Sequence, residues 1–233
     1  MPEPSESTAE LINRAVKNHQ RGLSEHESKR VLAAYGIATV AEELVKTAAE
    51  ALAAAGRLGY PVVLKACAPN LAHKSDLGLV AANLDDVSSV QTALAEVTKR
   101  AEGMALDGFL VQRMVKGKRE IIVGGTRDKI FGPCVMLGLG GILVEALADV
   151  AFRLSPLEER DALEMINEIR AQRLFGGIRG EPAVDRRAVT HVLITVGRIL
   201  VEHPRVAQVD VNPLIFEGAQ PVAVDALITL EPA

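Results

Sequence analysis

Val209-Asp210-Val211-Asn212-Pro213-Leu214-Ile215-Phe216, Glu217-Gly218-Ala219-Gln220 and Pro221-Val222-Ala223-Val224-Asp225-Ala226-Leu227-Ile228 follow one another near the end of this chain, and their reading decides the fold. Two apolar runs flank a four-residue connection, and Gly218 at its first central position suits a two-residue type II′ turn. Counting outward from Gly218 and Ala219 sets Asn212 opposite Asp225. Strand side chains alternate in direction, so Asp210, Asn212, Leu214 and Phe216 share a face with Ala223, Asp225 and Leu227. The other face, Val209, Val211, Pro213, Ile215, Val222, Val224, Ala226 and Ile228, is apolar throughout and is expected to be buried. Pro213 is a place where a bulge would shift this register. Two carboxylates and an amide oxygen thus converge on one side of an apolar ribbon. Such hard oxygens suit Mg²⁺; the solvated face of an amphipathic hairpin has the same pattern.

Upstream, the spacing predicts a mixed order of elements. Ser24 with Glu27 and Thr47 with Glu50 have capping-box spacing and open helices that stop at Gly36 and Gly59. Residues 61–64 read as a buried strand and 78–84 as another, followed by a helix from Asp86 or Ser88 to about Glu102. Strands at 109–115, 119–126 and 132–139 come in quick succession, which favours antiparallel hairpins. Helices at 156–170 and 185–202 precede the closing hairpin. The result is an α+β fold with a largely antiparallel sheet in its second half. Residues 1–22 are polar with little periodicity and are expected to be an N-terminal tail or docking arm.

A chain of 233 residues is one large domain or two small ones, and 48% hydrophobic with 24% charged residues is ordinary globular composition. Aromatic residues make up 3%, and 26 Lys plus Arg against 30 Asp plus Glu give a net charge of -4. Base-stacking platforms and a basic groove are both missing, which argues against a nucleic-acid partner. The longest uncharged run, 130–144, is broken by Pro133 and glycines and is too short to span a bilayer. The N-terminus lacks signal-peptide character, and the two cysteines, Cys67 and Cys134, have no metal-binding spacing. These features lead us to expect a soluble cytoplasmic protein without a membrane partner.

Neither GxxxxGK[ST] nor GxGxxG occurs, so any nucleotide is held on another scaffold. Lys65 ends the apolar strand Val62-Val63-Leu64, where a lysine is either a solvated strand exit or a rigid phosphate contact. His73, in the loop Ala68 to Asp76, is either a solvent-facing polar residue or a nucleophile whose neutral ring nitrogen takes a phosphoryl group, with Lys74 beside it to offset charge. Gln112 and Glu120 bracket a junction of two strands, a rim that suits an adenine and its ribose. Arg127 and Arg153 are further cations near the strand-rich region. Gly138 to Gly141 reads as a turn, or as backbone that lets a phosphate approach.

Taken in order, GYPVVLK (59–65), HKSD (73–76), LVQRMV (110–115), EIIVGGTRD (120–128), FGPCVMLGLGGILVE (131–145), FRLSPL (152–157) and DVNPL (210–214) resemble the ATP-grasp subunit of ADP-forming acyl-CoA synthetases, relatives of succinyl-CoA synthetase. The resemblance runs from about Leu23 to Leu230. It implies an ATP-grasp fold in which two α+β subdomains enclose a nucleotide, with 23–58 and 118–233 forming one lobe and 59–117 the smaller, nucleotide-covering one. By the same resemblance Lys65, Gln112, Met114, Val115, Glu120, Arg127 and Arg153 bind ATP or ADP, Asn212 and Asp225 hold Mg²⁺ with Asp210 in support, and His73 carries the phosphoryl group. The implied partner is a CoA-binding companion of alpha type, as a separate subunit in a hetero-oligomer or as a fused domain, because the acyl-CoA chemistry lies outside these motifs. Two positions depart from the family pattern: Leu79 follows Gly78 where a glycine pair is usual, and Arg113 stands where Glu is common. The competing functions are a carboxylate ligase of the same fold that works without a histidine carrier, and a non-catalytic nucleotide sensor that regulates an acyltransferase.

Overall fold

Three helices begin where a hydroxyl satisfies an amide left free at the first turn. The side chains of Ser7, Ser24 and Thr47 accept from the backbone N–H of Glu10, Glu27 and Glu50, and each glutamate reaches back to its cap's backbone. The computed structural model describes residues 6–69, 71, 74–140, 149–178 and 180–231. Its elements in chain order are α1 (Thr8–Lys17), α2 (Glu25–Ala34), β1 (Glu42–Val45), α3 (Ala48–Leu58), β2 (Val62–Cys67), β3 (Val80–Leu84), α4 (Val87–Arg100), β4 (Gly108–Arg113), β5 (Glu120–Asp128), β6 (Gly132–Leu139), β7 (Val150–Leu154), α5 (Glu159–Glu168), α6 (Arg186–Glu202), β8 (Val206–Glu217), β9 (Gln220–Ala223) and β10 (Ala226–Leu230).

The strands form two antiparallel sheets, which makes the chain α+β with two lobes, as expected. The smaller sheet has the order β1-β4-β2-β3 and is covered by α3 and α4, whose Ala51, Ala54, Ala55, Val90 and Val97 pack on Val62, Leu64 and Val111. The larger has the order β10-β8-β5-β6-β7, with β9 paired to the far end of β8. Helix α6 lies across its centre and buries Val189, Leu193, Val196 and Leu200 against Val123, Val135, Val209 and Val211. Gly125 permits this approach, since a Cβ there would lie 2.7 Å from the Val196 side chain and 2.8 Å from that of Leu200. No helix among the described residues is long and apolar enough to cross a membrane.

Four expectations are corrected. The N-terminal segment is no tail within the described residues: α1 buries Leu11, Ile12 and Ala15 in the core of the larger lobe, and each large side chain contributes about 1.5–3 kcal/mol. Residues 42–58 belong to the small lobe instead of the large one, because β1 pairs with β4 and α3 packs on α4. Strands β4 and β5 form no hairpin; the chain crosses between the two sheets at 114–119. Gly117 lies on this crossing, and a Cβ there would come within 2.4 Å of the Phe216 carbonyl.

The fourth correction concerns the buried face of β8. The hairpin register is as the sequence predicts, with Leu214 opposite Ala223 and Ala226 opposite Val211. Gly218 has φ +63°, and Ala219 is absent from the positive-φ residues, as a type II′ turn requires. Against β5, however, Val211 pairs with Val123 while Leu214 pairs with Ile121, so β8 advances three residues for two of β5. Pro213 sits in this bulge, where no N–H is available for the ladder. Val209 and Val211 face the main core, but beyond the bulge Leu214 and Phe216 take their place. Ile215 turns to a small cluster with Val40, Val115 and Val222.

Candidate functional site

Between the lobes, Asp210 and Asn212 rise from the open face of β8, and Asp225 stands in the break between β9 and β10. The Asn212 N–H donates to the Asp225 carbonyl at 3.2 Å, which fixes the two residues opposite each other. These three side chains line a cleft of about 340 Å³ together with Leu71, Lys74, Ser75, Asp76, Ala226 and Leu227. The expected convergence of three oxygen donors is therefore present, and it borders the loop that follows β2. Asp210 opens onto the cleft but has many protein atoms around it. Its carboxyl is pushed up from the usual value, first by this partial desolvation and then by the charge of Asp225. Two carboxylates and an amide oxygen on one wall fit a divalent cation, which would relieve that repulsion.

Lys65 lies within β2, followed by Ala66 and Cys67, and not at the strand's end as expected; it is 4% exposed, and its Nζ donates to Glu25 Oε1 at 2.7 Å and to the Val224 carbonyl at 3.1 Å. Asp225 Oδ2 lies 3.8 Å away. Lys74 donates to Glu25 Oε2 at 2.5 Å and to Asp225 Oδ1 at 3.1 Å. Lys29 completes the group, 2.7 Å from Glu25 Oε1 and 2.9 Å from Gln112 Oε1, and also pairs with Glu42. Burial pushes the Glu25 carboxyl up, but the ammonium groups of Lys65, Lys29 and Lys74 outweigh it and hold the group well below the usual carboxylate range. Lys74 behaves in the mirror sense: burial lowers it, Glu25 and Asp225 more than compensate, and it stays charged. Helix α2 of the large lobe is thereby tied to β1, β2 and β4 of the small one.

Glu25 and Lys29 carry no signal of this role in the sequence. Four residues apart on a helix, they read as an ordinary surface pair; only their burial, at 4% and 2% exposure, makes them part of the site. Gln112 joins the same group. It is fully buried, and its Oε1 accepts from Lys29. Among the described residues its Nε2 has no hydrogen-bond partner. Met114 and Val115 lie on the crossing between sheets, where the Met114 N–H donates to the Pro61 carbonyl at 3.1 Å. Glu120 begins β5, and its carbonyl accepts from the Gly140 N–H at 3.1 Å. Gly140 is required there, because a Cβ would lie 2.6 Å from the Glu120 side chain; Gly138 is part of β6, not of a turn.

Arg127 and Arg153 are not brought to the cleft. Arg127 donates to the carbonyls of Leu200, His203 and Val206, closing the C-terminal end of α6. Arg153 pairs with Glu168 and Glu164 of α5. Both guanidinium groups lie on the helix-covered side of the sheet, away from Asp210 and Asn212. Arg113, the departure at the strand end, has a partner in this chain: its guanidinium meets Glu217 at 2.7 and 2.8 Å and links β4 to the closing hairpin. His73 and Gly141 lie outside the described residues. Cys67 is buried, which pushes its thiol up to about 11, and Cys134 is half-buried; both are free.

Comparison with known proteins agrees with this geometry. A model of the ATP-grasp domain matches residues 14–230. The beta subunit of ADP-forming acetate–CoA ligase I from Pyrococcus furiosus is 39% identical over 225 residues, covering 95% of this chain and 97% of that subunit. The ADP-forming acetate–CoA ligase I of Archaeoglobus fulgidus is 38% identical over 222 residues, 93% of this chain but 32% of that longer protein. A solved chain of dinucleotide forming acetyl-coenzyme A synthetase 1 from Ca. Korarchaeum cryptofilum superposes with a TM-score of 0.84 at 40% identity, covering 97% of this chain and 100% of that one. That protein was in complex with coenzyme A and Mg-AMPPCP, its phosphohistidine segment pointing towards the nucleotide binding site. With two antiparallel lobes, an oxygen-lined cleft between them and this degree of identity, the chain belongs to the ATP-grasp family, among the relatives of ADP-forming acetate–CoA ligase beta subunits.

Proposed function

We propose that this chain is the nucleotide-binding subunit of an ADP-forming acyl-CoA synthetase and relays a phosphoryl group through His73 between a CoA-binding companion and ADP. The overall reaction is acyl-CoA + ADP + phosphate to acid + CoA + ATP, reversibly. The observation that carries this reading is the meeting of Lys74, the residue after His73, with Asp210, Asn212 and Asp225 at one interlobe cleft, with Lys65 buried 3.8 Å from Asp225. Phosphoryl transfer is mainly a matter of position and charge compensation. Lys65 and Lys74 supply fixed positive charge there, and Asp210, Asn212 and Asp225 would hold Mg²⁺. When bound, that ion neutralises charge on the phosphate oxygens.

In the direction of ATP consumption, a lone pair on the His73 ring forms the P–N bond. The bond from the γ-phosphorus to its bridging oxygen breaks, and ADP leaves with that electron pair. The acyl-CoA steps belong to the companion, consistent with the chain covering 97% of a relative called a subunit and only 32% of a longer relative of the same activity. Reconstitution tests the proposal: this chain mixed with its companion makes ATP from acetyl-CoA, ADP and phosphate, and neither component does so alone. ATP- and acid-dependent release of ADP by this chain by itself would favour the carboxylate-ligase function instead.

A further inference from the structure

We propose that Glu25 is a positioning residue that holds Lys74, the residue after His73 in the chain, on the wall of the nucleotide cleft. The inference rests on the function proposed above for His73, but its geometry lies wholly in described residues. Glu25 presents two carboxylate oxygens, and both are taken by ammonium groups: Oε1 by Lys29 and Lys65 at 2.7 Å each, Oε2 by Lys74 at 2.5 Å. Lys29 is held independently by Glu42 and Gln112, and Lys65 by the Val224 carbonyl. Lys74 differs from both, because it comes from a loop and not from a helix or strand. The residue is nevertheless only 8% exposed, and its ammonium bridges Glu25 to Asp225 on the wall of the cleft. A lysine buried in this way anchors the residues beside it, and Ser75 and Asp76 line the same cleft.

The arrangement depends on the sign of one group. Three ammonium groups crowd a single carboxylate, and like charges at such separations repel strongly where water is excluded. Without the charge of Glu25, Lys74 would face Lys65 and Lys29 with Asp225 as its remaining carboxylate partner, and would be driven out of the cleft. Nucleotide phosphates respond in the opposite sense. Loss of a negative charge beside Lys65 leaves its ammonium freer for an anion, so removing Glu25 separates holding the nucleotide from placing Lys74.

Two readouts on the whole chain test this. Trypsin cuts after Lys74 slowly in the wild type and much faster in Glu25→Gln, while cutting after Lys129, exposed in the β5–β6 turn, is unchanged. Phosphorylation of His73 by Mg-ATP falls about 100-fold in Glu25→Gln, the scale expected of a misplaced reacting group, while Mg-ADP binds as well as to the wild type or tighter. An unchanged cut after Lys74, or equal losses of nucleotide binding and phosphorylation, would overturn the assignment. Should Glu25→Gln fail to fold, Glu25→Asp keeps the charge and draws the carboxylate back from Lys74; it must speed the cut after Lys74 and lower phosphorylation, or the assignment is wrong. If the wild type forms no phosphohistidine, the relay function fails, and the tryptic comparison still decides whether Glu25 holds Lys74.

Discussion

Lys65→Met is expected to lower phosphoryl transfer between ATP and this chain by about 10²–10³-fold, the usual loss when one preorganised charge-stabilising group is removed. Strand β2 is buried along its whole length and brings Lys65 Nζ to 3.8 Å from Asp225, which lines the cleft. A methionine keeps the stem and its packing and discards the charge. Stability falls as well. Breaking a buried ion pair by deleting one partner costs about 3–5 kcal/mol, but Glu25 keeps Lys29 and Lys74, so the loss should lie below that range. Lys65→Arg is not a rescue, because a planar guanidinium cannot take the place of a compact ammonium between Glu25 and the Val224 carbonyl. Single-turnover labelling and urea denaturation read the two effects separately; full transfer in a folded Lys65→Met chain would remove Lys65 from the site.

Asp225→Asn is expected to weaken Mg-ADP binding by more than about 100-fold, since even outer-shell partners of a metal are commonly worth 10–100-fold. Asp225 receives Lys74 at 3.1 Å and stands opposite Asn212 across the closing hairpin. The substitution takes one of two carboxylates from the cleft wall and leaves a neutral side chain of the same shape. Asp210 responds too. Its carboxyl is raised by partial desolvation and then by Asp225, so the substitution lowers it towards its ordinary value. Titration calorimetry with ADP, with and without Mg²⁺, should show the loss in the metal-dependent part of the affinity. Equal loss in both conditions would mean that Asp225 acts only by holding Lys74.

The parts of this fold that the sequence shows are those set by local rules. The hairpin register follows from Gly218, and the capping boxes at Ser24 and Thr47 mark their helices. The same spacing at Ser7 and Glu10 marks α1 as well, but the polar residues around it mask the three apolar side chains that dock it. The side-chain faces of β8 follow from Val209 and Val211 up to Pro213 and then reverse, because the bulge depends on how β8 meets β5, a strand some 90 residues away in sequence. Site residues divide in the same way. Asp210, Asn212 and Asp225 are neighbours through one turn, and Lys65 follows the apolar run that opens its strand. Glu25 and Lys29 acquire their role only when two lobes close over them. The arginines fail for the converse reason: charge and nearby motifs place Arg127 and Arg153 in the right strands, and strand alternation then points both at helices.

The relay through His73 is the claim on which the proposed function stands, and phosphate chemistry tests it directly. Incubation of the chain with Mg-ATP labelled in the γ-phosphate should give a phosphoprotein that is acid-labile and base-stable, as an N–P bond requires, and His73→Ala should carry none. Equal labelling of His73→Ala and wild type would contradict the account.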